Sequence, residues 1–535
     1  MSSAFPLLRM VAPLKGRRFD LLVIGGGIYG AWTAYDAALR GLSVALVERE
    51  DWAAGTSSAS SKLIHGGLRY LEHYDFGLVR HALVERRTLH RLAPHLVRPL
   101  SFALPVWKGP RASMLQLSAG LLVYDLLGGW RQPVRVHRRF SRAALLQRYP
   151  YVDPERLLGG FTYGDCQEDD ARMTLAVVAA AQAAGAFVAN RLEVRQLLEQ
   201  DGTVCGAQVR DRWGDETFEL QARLVINAAG PWAAGLCGAA APAVRLVRGI
   251  HLVLPAIPGC AEAFLLTAKD GRVFFVIPWY GRTLVGTTES EVPGPAVAGP
   301  APEEVRYLLA GVRNCLPGIA WSEDDVLAGF AGVRTLQAED VASLSAVTRE
   351  FEILAPRPGL LMPLGGKFTT ARVDVGAIVD AAERLLGLRS RGSTTDRQPL
   401  PGTPPVQPWT PEPFARWQAA MVPLLRRQGV DDDSARWLSL RHGERIGRIG
   451  ELLREDPRWA ARLHPEAPFI AAEAVLAVRD EMALSLADVV RRRLPLALLT
   501  RPSRPQLRDW SELLAPLLQR DPVEILYEYE HPPAG

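Results

Sequence analysis

Three glycines, Gly25, Gly27 and Gly30, stand between an apolar strand-forming run, DLLVIG (Asp20 to Gly25), and AWTAYDAALR, a breaker-free helical stretch that ends at Gly41. The chemistry such a turn performs is anion binding. Gly25 allows the tight turn and Gly27 lets backbone N–H groups approach a pyrophosphate. Gly30 lets the helix pack closely on the strand, so the phosphates sit at the helix N-terminus. A second buried strand, SVALVE, ends in Glu48, whose carboxylate suits the ribose hydroxyls of an adenosine and repels a 2′-phosphate. Strand, turn, helix, strand and terminal acid together predict a bound dinucleotide, FAD or NAD rather than NADP.

The strings that follow are more specific. GTSSASSKLIHGGLRYLEHYDF (Gly55 to Phe76) resembles the signature of the FAD-dependent (aerobic, quinone-linked) glycerol-3-phosphate dehydrogenases. Further similarities follow in that family's order: DARMTLAVV from Asp170, LVINAAGPWA from Leu224, RLVRGIHLVLP from Arg245, LVGTTE from Leu284, AGVR from Ala331 and GGKFTTAR from Gly365. LRHGERI (Leu440 to Ile446) and AVRDEMALSLADVV from Ala477 resemble the helical C-terminal domain of the bacterial members. The resemblance covers almost the whole chain. It implies an α/β fold like that of D-amino-acid oxidase: an FAD-binding Rossmann domain, an antiparallel-sheet substrate cap and a C-terminal α-helical domain. It also implies non-covalent FAD, and oxidation of sn-glycerol 3-phosphate to dihydroxyacetone phosphate by hydride transfer to flavin N5. The electrons would pass to a membrane quinone.

On that resemblance, Thr56, Ser57 and Ser58 offer hydroxyls and N–H groups to the FAD phosphates or ribityl chain, and Ala229 and Gly230 line the cofactor. In GGKFTT, Gly366 and its neighbours suit a loop of exposed N–H groups. A helix starting near Thr369 or Thr370 would then steady the N1 and O2 edge of reduced flavin. Arg69, Tyr70, His251, Arg334, Arg349 and Lys367 fall at family positions that bind substrate or border the isoalloxazine ring. A phosphomonoester is nearly dianionic, so it needs guanidinium forks or an ammonium; oxidising its alcohol needs a base and a hydride acceptor. Arg334 and Arg349 are expected to hold the phosphate and His251 to take the C2 hydroxyl proton, with His65 as the competing base. Lys367 and Arg69 would supply positive potential. Tyr29, inside the glycine turn, is bulkier than the usual residue and is expected to have no functional consequence. Two alternatives stay open: an oxygen-reducing glycerol-3-phosphate oxidase, and a flavin-binding regulator without turnover. The latter would predict damage among Arg69, His251, Arg334 and Lys367, and all four are present.

The elements that must position these residues can be read more coarsely. With 535 residues, 48% hydrophobic and 22% charged, the chain has room for two or three domains. The cofactor motifs are scattered, so the FAD-binding domain is expected to be discontinuous, built from 17–100, 160–240 and 330–395. A cap is expected at 101–159 and 241–329, a Pro/Ser/Thr-rich linker at 396–413 and a helical domain at 414–535. Sixty-two basic against 58 acidic residues leave a net charge of +4, so nucleic acid is not an expected partner. Five scattered cysteines without CxxC spacing argue against a disulfide framework or a metal site and fit a reducing cytoplasm.

No run approaches the roughly 18 to 20 apolar residues of a membrane-spanning helix. The basic, amphipathic stretch His73 to Arg98 and the apolar LQLSAGLLVYDLLGGW nearby would instead rest peripherally or monotopically on the inner face of the cytoplasmic membrane. The expected partners are glycerol 3-phosphate, a membrane quinone and an anionic membrane surface, with a homodimer as an option.

Overall fold

The computed structural model describes residues 4–109, 113–129, 132–296, 299–338, 351–406 and 411–532; of Arg69, Glu72, His73 and Pro411 it describes only the backbone. The first apolar run forms the strand Arg18–Ile24, whose Leu21, Leu22, Val23 and Ile24 are all buried. Such a continuous apolar run is what a parallel sheet covered on both faces requires. The strand lies between two parallel neighbours, Glu216–Asn227 and Val44–Val47, with Leu22 level with Val225 and Ala45. Phe187–Ala189 and Leu360–Leu364 extend the parallel order on either side, and Glu352–Arg357 adds an antiparallel edge.

Three distant parts of the chain thus contribute neighbouring strands. Their carboxyl ends run directly into Gly25, Ala228–Gly230 and Gly365, which is where open α/β sheets bind ligands. Helix Ile28–Leu39 packs against Asp170–Ala183 and Ala371–Leu385 over one face, burying Trp32, Met173 and Ile378 in a common core.

The second sheet carries two of the candidate side chains, His251 and Arg334. Its long pair, Val97–Trp107 with Leu157–Glu168, is antiparallel with Ser101 opposite Gly164. Val244–Pro255 is flanked by Arg282–Gly286 and, over most of its length, by Ala328–Gln337, which places Arg334 opposite Val247 and Phe330 opposite His251. Two features differ from the sequence reading. Ala263–Thr267 runs parallel to Val97–Trp107, so this sheet is mixed. Ala328–Gln337, grouped with the cofactor domain because of its motif, is hydrogen-bonded as a strand of the cap sheet, because a motif reports proximity to the site and not the ladder to which a strand belongs.

Beyond Ala371–Leu385 the segment expected to be a linker is docked along its described part. Leu400 N–H donates to Leu92 O (2.8 Å), Thr403 Oγ1 donates to the same carbonyl (2.6 Å), and Thr395 is buried against Arg372. The C-terminal helices are tied back to the sheet by buried ion pairs: Arg172 with Glu481 (2.7 Å), and Arg493 and Arg492 with Asp51 (2.7 and 2.6 Å). Among the described residues no helix is long and apolar enough to cross a membrane, the five cysteines are unbridged, and no cluster of metal-ligating side chains occurs.

Candidate active site

A continuous cavity of about 2320 Å³ runs from the carboxyl ends of the parallel strands into the cap. At its nucleotide end Gly25 and Gly30 lie against backbone, and Gly27 faces the Ser57 hydroxyl. Gly25 has φ +108°, and a Cβ there would lie 2.6 Å from Ala228 O; a Cβ on Gly30 would lie 1.9 Å from Gly25 O. Gly26 also has a task, missed in the sequence: its Cβ would strike the Trp52 ring at 2.5 Å. Glu48 accepts from Gly26 N–H (2.6 Å) and Glu50 N–H (2.7 Å), one bond to each oxygen, which leaves lone pairs for ribose hydroxyls. Burial raises the proton affinity of its carboxyl, and the two amides oppose that rise. Ala229 and Gly230 line the same wall, joined by Trp232, over which the Arg49 guanidinium sits at 4.8 Å. Arg49 and Trp232 went unnoticed in the sequence, although each adjoins a residue that was singled out.

The serine loop divides its work. Ser57 Oγ accepts from Ile28 N–H (2.9 Å), capping the glycine-turn helix from outside, and lines the cavity. Thr56 also lines the cavity, and its hydroxyl donates to Val333 O (2.6 Å), fastening the loop to the cap. Ser58 does not line the cavity; its carbonyl accepts from Lys62 Nζ (2.6 Å), which makes it a brace for the lysine rather than a wall of the site.

At the reactive end Gly365 and Gly366 both have positive φ (+72° and +80°), and a Cβ on Gly366 would lie 1.7 Å from Tyr29 Oη. That hydroxyl donates to Asp374 Oδ2 (2.6 Å), the oxygen that also accepts from Thr370 Oγ1 (2.8 Å). Tyr29 is therefore not inconsequential. It supports the loop carrying Lys367, and burial raises the proton affinity of both Tyr29 and Asp374. Thr369 Oγ1 accepts from His65 N–H (3.3 Å), and the helix begins at Ala371. Lys367 Nζ lies 3.7 Å from the Tyr70 ring centroid, buried and without a hydrogen-bond partner among the described residues.

His251 is buried, its ring stacked on Phe330 at 5.1 Å with 15° between planes, and its Nε2 is 2.9 Å from Ser61 Oγ. Nδ1 has no partner among the described residues. Burial first, and then the charges of Lys62 and Arg334, push its pKa down to about 3, so the imidazole is neutral at physiological pH. Arg334 Nη1 donates to Glu289 Oε1 (3.2 Å), and a Cβ on Gly249 would lie 3.2 Å from Arg334 Nη2, so the bare backbone makes room for the guanidinium.

Behind the imidazole, Lys62 Nζ is held by both oxygens of Asp170 (2.7 and 2.8 Å), and Ser60 Oγ donates to the same carboxylate (2.7 Å). Ser61, Lys62, Asp170 and Glu289 all lie in motifs quoted from the sequence, but nothing in the spacing says that they meet. Tyr70, His65, His251, Arg334, Lys367, Gly366 and Thr369 all line the one cavity. Arg349 and the side chain of Arg69 lie outside the described residues.

These features fit FAD: a backbone cradle that any Cβ would fill, an acid at the adenosine end, and an unpartnered ammonium at the reactive end. The comparisons agree. Residues 20–370 match the FAD dependent oxidoreductase family, and residues 393–524 match the C-terminal domain of alpha-glycerophosphate oxidase. Glycerol-3-phosphate dehydrogenase 2 of Mycobacterium tuberculosis is 36% identical over 96% of this chain and 87% of its own. Glycerol-3-phosphate dehydrogenase of Synechocystis is 33% identical over 92% of this chain and 91% of its own. Among solved structures, the glycerol-3-phosphate dehydrogenase from Bacillus halodurans complexed with FAD superposes with a TM-score of 0.79 at 27% identity, covering 97% of this chain and 95% of that one. The FAD-bound L-alpha-glycerophosphate oxidase from Mycoplasma pneumoniae, at 21% identity and TM-score 0.55, covers 71% of this chain and 97% of its own and shares the fold. With its cofactor cradle, its C-terminal domain and its relatives in agreement, the chain belongs to the FAD-dependent glycerol-3-phosphate dehydrogenase family.

Proposed function

We propose that this protein oxidises sn-glycerol 3-phosphate to dihydroxyacetone phosphate and passes the electrons to a membrane quinone. The observation that carries the reading is that two cations, Arg334 and Lys367, line the same cavity as the neutral, buried His251, a cavity that begins at the glycine turn. Arg334 forks the substrate phosphate, with Arg349 as its expected second ligand. In the tautomer that donates from Nε2 to Ser61 Oγ, the Nδ1 lone pair of His251 is free to take the C2 hydroxyl proton. The substrate's negative charge offsets Lys62 and Arg334, which otherwise depress that imidazole, so its proton affinity rises when it has work to do. FAD, when bound, would supply the two-electron acceptor for the C2 hydride. Lys367 and the Gly365–Gly366 amides would neutralise the charge that reduction adds.

The membrane side of the proposal rests on helix Met114–Gly128 and its neighbour Phe76–Leu92. Tyr74, Leu115 and Leu126 are 79%, 80% and 69% exposed, with Phe76, Leu122 and the basic Arg80 also exposed beside them. The basic helix is not lipid-facing all round, since Arg86 is buried in a pair with Asp165 (2.5 Å) and Glu85 in one with Arg372 (2.6 Å). An acceptor assay tests the whole reading. Under nitrogen, with a short-chain quinone, dihydroxyacetone phosphate and quinol should form one for one. Hydrogen peroxide in air at an equal rate would assign an oxidase instead.

A further inference from the structure

A second, small cavity of about 10 Å³ lies where the cofactor domain meets the C-terminal helices, away from the active site. Room of that size holds one water molecule or one ion little larger. Its charged lining is wholly cationic: Arg172 from helix Asp170–Ala183, and Arg441 and Arg445 from the C-terminal domain, with the imidazoles of His95 and His442. No carboxylate lines it. Two carboxylates stand behind these guanidiniums: Glu473, bonded to Arg441 (2.7 Å), and Glu481, shared between Arg172 (2.7 Å) and Arg445. The direct pairs thus set three guanidiniums against two carboxylates, with Asp480 and Asp169 acting on Arg445 and Arg172 only through space, so one guanidinium is left without a carboxylate of its own in a buried place, where an uncompensated charge is costly.

Donors there are also unused. Arg441 Nη1, Arg445 Nη2 and His95 Nδ1 are buried with no partner among the described residues, and the Arg441 side chain is only 1% exposed. His442 contributes no donor of its own: its Nδ1 faces Arg172 Nη2 (3.3 Å) and its Nε2 faces Glu473 Oε1 (2.9 Å), the pattern of a neutral ring already satisfied at both nitrogens. The His95 ring is likewise neutral, its pKa pushed down to about 3 by burial and by Arg172, so one of its nitrogens carries a hydrogen to donate.

We propose that this cavity is a binding site for a halide-sized monovalent anion, chloride at physiological salt, held by Arg441, Arg445 and His95 and linking the cofactor domain to the C-terminal domain. A single anion satisfies all three donors and cancels the surplus charge at once. A water molecule could satisfy donors but not the charge. Arg172 completes the link, since its Nε also donates to Arg441 O (3.1 Å).

The test uses the FAD-loaded full chain, crystallised and soaked in sodium bromide, with anomalous diffraction recorded at the bromine edge. The expected result is a bromide peak within about 3.5 Å of Arg441 Nη1, Arg445 Nη2 and His95 Nδ1. The accompanying solution measurement is the thermal midpoint of the same holoenzyme in sodium chloride against sodium gluconate at equal ionic strength; a saturable rise of several degrees in chloride is expected. Density at the site without anomalous signal, or a thermal midpoint indifferent to the anion, would assign a water molecule and overturn the proposal. Neither readout depends on which substrate or acceptor the active site uses.

Discussion

The role proposed for His251 rests on its surroundings. Burial and two nearby cations keep it unprotonated, Ser61 occupies one nitrogen, and the other is left without a partner among the described residues. Replacing it in H251N should lower kcat by about 10² to 10⁴-fold with bound FAD unchanged, measured by steady-state kinetics and flavin absorbance. A comparable fall in H65N, with H251N active, would move the base to His65. Arg334→Lys keeps the charge and loses the fork, so the account predicts a KM for the phosphate ester raised at least tenfold, with a smaller change in kcat. The glycines and Glu48 could be singled out in the sequence because they stand at fixed spacings within one strand–helix–strand unit, although Gly25 also packs against Ala228 from a distant strand. The Ser61, Lys62 and Asp170 cluster was not, because Lys62 and Asp170 stand 108 positions apart and only the fold brings them together.

Among the elements, the Gly365–Lys367 loop is the most constrained. It is held at positive φ against the Tyr29 ring, which is itself fixed by Asp374. Gly366→Ala combines a left-handed backbone with a 1.7 Å clash, so the variant should purify with little or no FAD and a clearly lowered thermal midpoint. Tyr29→Phe removes only a hydrogen bond. A loss of about 1 kcal/mol and weaker FAD retention are expected on dialysis, with the fold intact. Two of the parallel strands were readable as continuous apolar runs, DLLVIG leading into its glycines and SVALVE ending in Glu48. Ala328–Gln337 was assigned to the cofactor domain because of its motif, although its ladder hydrogen bonds lie in the other sheet and side-chain bonds, such as that of Thr56 to Val333 O, tie it to the cofactor domain. Side-chain destination and ladder membership are separate facts, and a motif records only the first.

At the scale of the molecule, the buried histidines set the response to acid. His251 and His95 hold their protons only near pH 3 and His442 near pH 4, whereas an unfolded histidine titrates near 6.5. Between those values the unfolded chain binds more protons than the native one, so stability falls as pH drops, by about 1.4 kcal/mol per unit for each ring. Glu168, Glu48 and Asp374, whose carboxyls are raised by burial, work in the opposite direction above about pH 4.5. Below that they are protonated in both states, while Asp51, Glu473 and Glu481, all lowered by buried arginines, add to the loss. Denaturation midpoints should therefore fall as pH drops below 6.5, with the raised carboxyls opposing part of the loss, and fall most steeply between 4.5 and 3. A monotonic, even slope would contradict these assignments.

The measurement that bears most directly on the central claim is anaerobic bleaching of the enzyme-bound flavin. The purified, FAD-loaded protein is mixed with sn-glycerol 3-phosphate, and separately with glycerol and a 2-hydroxy acid, while absorbance near 450 nm is followed. Rapid loss of the oxidised band with the phosphate ester alone is the predicted result, since only that substrate engages both Arg334 and His251. A fully flavinated protein that stays yellow with the phosphate ester, or bleaches equally with glycerol, would contradict the account.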